Sequence, residues 1–147
     1  MRAPFGPKLS ERGINTMMRL FSLLLASMIA TQAAADSCWD HNGSVMRLTD
    51  QGNNRWFWYE NPRQGMRNVG VQSGTLLFNG RKNGDWYSGT ARVFSNYCAP
   101  LEYSVEGPVL YNPLRVQVSG QRQIYENCQP TGRWTTDTLL FTYKYNC

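Results

Sequence analysis

Gly74–Ser95, GTLLFNGRKNGDWYSGTARVFS, decides the fold class. Successive side chains of a strand point to opposite faces, so period two is the signal to look for. In Thr75–Asn79, Leu76 and Phe78 share one face and Thr75, Leu77 and Asn79 the other. In Trp86–Phe94, Tyr87, Gly89, Ala91 and Val93 alternate against Trp86, Ser88, Thr90, Arg92 and Phe94. Between the two runs lies Gly80–Asp85, polar and carrying the Asn83-Gly84 pair that supplies the positive φ of a hairpin turn. A glycine inside a strand marks a bend or a close backbone approach. Small residues alternating with Tyr87 and Val93 suit the inner face of a narrow barrel.

The flanking sequence repeats this pattern. Ser44–Thr49 alternates, Asp50–Asn54 is a turn, and Arg55–Glu60, RWFWYE, is an aromatic strand former. Leu101–Gly107, Leu114–Tyr125 and Thr138–Tyr145 alternate again. Asp36–Gly43 reads as a polar lead-in and Glu126–Thr135 as a loop. Asn61–Ser73 is the longest irregular connection, with room for a short strand at Asn68–Gln72. The expectation is an all-β domain: a small antiparallel up-and-down β-barrel of seven to eight strands, with a β-sandwich as the alternative.

By architecture the pattern resembles the calycin barrels, the lipocalin and avidin shape, without the lipocalin G-x-W signature or an avidin motif. The segments NGRKNGDWYSGTARVFS and CQPTGRWTTDTLLFTY resemble uncharacterised short secreted bacterial proteins. That resemblance implies no activity.

The first 35 residues read as a separate segment. Arg19 is followed by eleven mostly apolar residues, Leu20–Ala30, and then by an A-x-A site before Asp36. This is a cleavable signal peptide, far short of the roughly 20 residues of a spanning helix. Met1, Met17 or Met18 could serve as its start. The expected product is a single domain over residues 36–147, secreted or periplasmic and without a membrane anchor. Four of the 15 basic residues and one of the 10 acidic ones fall in the leader, so the net charge drops from +5 to +2. That balance argues against a nucleic-acid partner.

Four cysteines remain, Cys38, Cys98, Cys128 and Cys147, an even number in an oxidising compartment. They allow three pairings. In a meander, alternate connections fall at one end, which brings Cys98 beside Cys128 and leaves Cys38 with Cys147.

Catalytic chemistry is sparse. His41 is the sole histidine and reads as solvated, which leaves no Ser-His-Asp or Cys-His constellation. Glu102 and Glu106 alternate outward with Ser104. No metal-ligand spacing and no phosphate loop implies a cofactor. The expectation is therefore a binding module and not an enzyme. Trp56, Trp58 and Tyr59 with Arg63 and Arg67 are the candidate binding residues, because aromatic faces and guanidinium groups suit a sugar, an anionic envelope component or a protein. A non-enzymatic module for an envelope component or small ligand is the first reading. A protein-directed module such as a hydrolase inhibitor is the second. An internal cavity favours the first; a filled barrel with a protruding 61–73 loop favours the second.

Overall fold

A computed structural model describes residues 35–147; the expected leader, apart from Ala35, lies outside the described residues. Eight antiparallel strands run in sequence order and close on themselves: β1 (Ser37–His41), β2 (Ser44–Gln51), β3 (Asn54–Asn61), β4 (Leu76–Asn83), β5 (Trp86–Val93), β6 (Leu101–Leu110), β7 (Arg115–Glu126) and β8 (Gln129–Asn146). β1 pairs with β8, so the sheet is an up-and-down barrel and not a sandwich.

The supposed lead-in is a strand. Asn42 and Gly43 both take positive φ, 50° and 83°, and form a two-residue turn between β1 and β2. Trp39 and His41 therefore point inward with Met46 and Ser44 opposite them. The 61–73 connection holds a short helix, α1 (Gln64–Asn68), and no strand forms at Asn68–Gln72, where the sequence left room for one. Val71 beyond it is buried and Met66 and Val69 pack against the core, so the segment folds down onto the barrel.

The opening hairpin keeps its inner face at Tyr87 and Ala91, both buried. Its partner strand departs from strict alternation. Trp58 pairs with Leu76 and Phe57 with Phe78, which leaves Leu77 as an extra residue, and Leu77 and Phe78 are both buried. Gly80 faces Gly89 in the β4–β5 ladder. A Cβ on Gly89 would lie 2.2 Å from the Asn79 carbonyl oxygen, so the strands approach too closely for any other residue.

The Glu126–Thr135 stretch is also strand. The turn is Asn127-Cys128, with φ of 52° and 61°, and β7 and β8 pair from there downward. β8 meets β1 only from Thr142 to Asn146, so its upper part has one unpaired edge. That edge tolerates Pro130, which cannot donate to a second ladder.

The lower half of the lumen is filled. Phe57 and Phe141 are fully buried and stack with centroids 3.9 Å apart, and Trp39 meets Phe57 edge-on at 5.7 Å. Each such ring contributes about 2–3 kcal/mol by burial. Cys38–Cys147 closes the end that holds the termini, and Cys98–Cys128 ties the β5–β6 connection to the β7–β8 turn at the other end.

Candidate ligand site at the open mouth of the barrel

Alternate connections share an end. The β1–β2, β3–β4, β5–β6 and β7–β8 connections therefore surround one mouth, above the Phe57–Phe141 stack. A cavity of about 420 Å³ opens there. His41, Tyr59 and Arg63 line one side of it, Tyr103 and Asp137 another, and Met66, Leu77 and Phe94 add apolar wall.

His41 is 9% exposed, so the solvated reading from sequence is overturned. The residue that ends β1 faces the lumen because Asn42-Gly43 turns the chain directly after it. The ring stacks on Phe141 at 4.9 Å, and its Nδ1 lies 3.0 Å from the Leu140 carbonyl oxygen. A carbonyl oxygen only accepts, so in the neutral ring Nδ1 carries the proton. Nε2 is left as an acceptor for the cavity. Burial lowers the His41 pKa, against the opposing Leu140 bond and Asp40, while Arg63 lowers it further.

Tyr59 is buried at the top of β3, its ring edge-on to Phe94 at 6.1 Å. Burial pushes its phenol up to about 12, with Arg63 pulling the other way. Across the mouth, burial and then the nearby Asp137 carboxylate raise the Tyr103 phenol. Both phenols are protonated at neutral pH; the Tyr103 hydroxyl faces the Asp137 carboxylate, and Tyr59 borders the cavity beside Arg63. Asp137 accepts from Arg122 Nε at 2.5 Å.

Arg63 begins the β3–β4 connection. Its backbone N–H donates to the buried Ser44 hydroxyl at 3.0 Å, which fixes the entry of the segment. Its guanidinium lies over Gly65, where a Cβ would stand 2.5 Å from Nη1. Among the described residues Arg63 takes part in no ion pair. Arg92 borders the same cavity, but its guanidinium is engaged by Asn79 at 2.8 Å and Glu102 at 3.0 Å.

The structure divides the five residues singled out from sequence. Tyr59 and Arg63 meet at the mouth. Trp56 and Trp58 lie half-buried on the outer wall, because β3 turns Phe57 and Tyr59 inward. Trp58 Nε1 donates to Thr49 Oγ1 at 3.0 Å. Nearby, Arg47 bridges Glu60 and Asp36, at 2.7 and 2.9 Å, and lowers the Glu60 pKa. Arg67 turns back on its own loop, donating to the Pro62 carbonyl and to Gln64 Oε1. His41, Tyr103 and Asp137 are mouth residues that the site reading from sequence left out. Asn42-Gly43 was the available signal for His41: read as a hairpin turn, it makes Ser37–His41 a strand.

No family model matches the chain, and no curated protein matches it. Among solved structures, the crystal structure of a rhizavidin–biotin complex is similar with a TM-score of 0.52. The two are 20% identical, over 78% of this chain and 95% of that one. The similarity is one of fold: an avidin-like barrel.

Proposed function

We propose that the protein is a non-enzymatic, secreted or periplasmic barrel that binds a small ligand carrying an acidic group in its mouth cavity. One observation carries the reading: an arginine without an ion-pair partner among the described residues, Arg63, stands at a cavity that also presents the Tyr59 and Tyr103 phenols. Phenol and guanidinium donors converging in a partly apolar pocket suit a carboxylate or a similar oxyanion. The two disulfides fit an oxidising compartment. The solved structure of similar fold is a biotin complex, and biotin is itself a small carboxylate. In this reading Tyr59 and Arg63 touch the ligand. Trp56 and Trp58 stay on the outer wall, and Arg67 shapes the loop that carries Arg63. A protein-directed module draws less support, because Val71 is buried and Met66 and Val69 pack against the core, which seats the 61–73 loop on the barrel.

Calorimetric titration with biotin and a panel of small carboxylates tests this. At least one should bind, and Arg63→Gln should weaken it roughly ten- to hundredfold, as expected for a lost charge-assisted bond. Tyr59→Phe should weaken it less. Binding that is indifferent to both substitutions would place the site elsewhere.

A further inference from the structure

The inward column of β7 runs Val116, Val118, Gly120, Arg122, Ile124 from the closed end to the mouth. Ile124 thus stands above the Arg122–Asp137 ion pair, on the wet side of it. Val93 and Leu101 face each other in the β5–β6 ladder at the same level. All three aliphatic side chains are half-buried, and none belongs to the core cluster. They wall a second cavity of about 630 Å³, bordered by Cys98 and Cys128 and by Pro100. Arg122 borders this cavity and Asp137 borders the mouth cavity, so the 2.5 Å ion pair is the partition between them. Val93 borders both.

The wall is aliphatic on its inner side, the exposed Ser95, Tyr125 and Asn127 are its uncharged polar members, and its one charged group, Arg122, is engaged by Asp137. The chain does not close the space itself, since Cys98–Cys128 fastens the two segments that would have to move. Cys128 is held at φ 61°, in the left-handed region, within that fastening.

We propose that this second cavity receives the aliphatic chain of the ligand whose acidic head lies beside Arg63, so that the ligand is a medium-chain acyl carboxylate. The inference rests on the mouth reading for its head group. It adds a chain-binding compartment walled by Val93, Leu101 and Ile124.

The test is a calorimetric series of straight-chain alkanoates from butyrate to dodecanoate on the full chain, below their micelle concentrations. Affinity should rise about fourfold per added methylene and then level off once the cavity is filled. Ile124→Trp should bring the levelling to a shorter chain while leaving butyrate unchanged. Arg63→Gln should weaken every member by a similar factor. A wild-type readout guards against variants that fail to fold. Isoleucine methyl labelling gives three signals, from Ile14, Ile29 and Ile124, and Ile124→Val identifies the one at this cavity. Decanoate should shift that signal and butyrate should not. A short carboxylate that binds through Arg63 with no chain-length gain would overturn the chain compartment and leave the mouth reading standing. A chain-length gain without a shift at Ile124 would overturn it too. Failure of every alkanoate to bind removes the acyl assignment, while biotin and the small carboxylates still judge the mouth.

Discussion

The rings of Phe57 and Phe141 lie face to face across the lumen, 5° from parallel with centroids 3.9 Å apart. They come from β3 and β8, which β1 and β2 separate in the closed sheet, and they belong to the buried core. Phe57→Ala or Phe141→Ala should cost about 3–5 kcal/mol each in urea denaturation. The double variant should cost less than the sum, by about 0.5–1.5 kcal/mol for the ring pair. Strict additivity would mean that the rings do not support each other.

His41 gives stability a pH dependence of known sign. Its folded pKa is below the ordinary 6.5, so above pH 6.5 both folded and unfolded chains hold it neutral. Below 6.5 the unfolded chain takes up the proton first, and stability falls until pH passes the folded value, where this loss levels off. The slope from one such group is at most about 1.4 kcal/mol per pH unit. Glu60, whose pKa is lowered by Arg47, acts only below its ordinary 4.5, losing its contribution as pH falls through its folded value. Denaturation midpoints of His41→Gln should therefore lack the decline that wild type shows just below pH 6.5. Parallel curves would mean that the imidazole is not buried neutral.

Gly65→Ala separates the position of Arg63 from its presence. The added Cβ would sit 2.5 Å from Arg63 Nη1, a flexible group that can move aside. Stability should hold or rise by up to about 1 kcal/mol, from alanine in the first turn of α1. Affinity for a carboxylate should fall severalfold in the same variant, because the guanidinium is displaced. Unchanged affinity would show that the resting place of Arg63 is not the one it binds from.

Cys128 occupies a backbone conformation that glycine favours, with φ at 61°. Loss of its disulfide, which spans 30 residues, should cost about 3–4 kcal/mol by loop entropy. With the bond removed, Cys98→Ser/Cys128→Gly should be more stable than Cys98→Ser/Cys128→Ser by about 1 kcal/mol. Equal denaturation midpoints would argue against a left-handed residue in this turn.

Much of the barrel was legible in the sequence because half-buried strands announce themselves by alternation. Tyr87 and Ala91 on β5, and Leu101, Tyr103 and Val105 on β6, face inward as their spacing implies. Alternation fails where a bulge intervenes, as at Leu77, where two neighbours point the same way. Pro130 and Gly132 read as loop-formers; the unpaired outer edge of upper β8 accommodates Pro130, and Gly132, at φ 79°, sits where the β7–β8 register shifts. The site was harder to read because it is assembled from six strands and the connections between them. His41, Arg63, Tyr103 and Asp137 are far apart in sequence, and period alone says which face a residue takes but not its depth. Trp56 and Trp58 stood out by composition, yet the same alternation that buries Phe57 and Tyr59 sends them to the outer wall.

The mouth as the ligand site is the central claim, and nuclear magnetic resonance tests it most directly. A carboxylate found to bind would be titrated into labelled protein while the His41 ring, the Tyr59 and Tyr103 side chains and the tryptophan indole N–H signals are followed. Saturable shifts at His41, Tyr59 and Tyr103, with the Trp56 and Trp58 indoles unmoved, are the predicted result. Shifts confined to the Trp56 and Trp58 indoles, with His41 and both tyrosines silent, would contradict it.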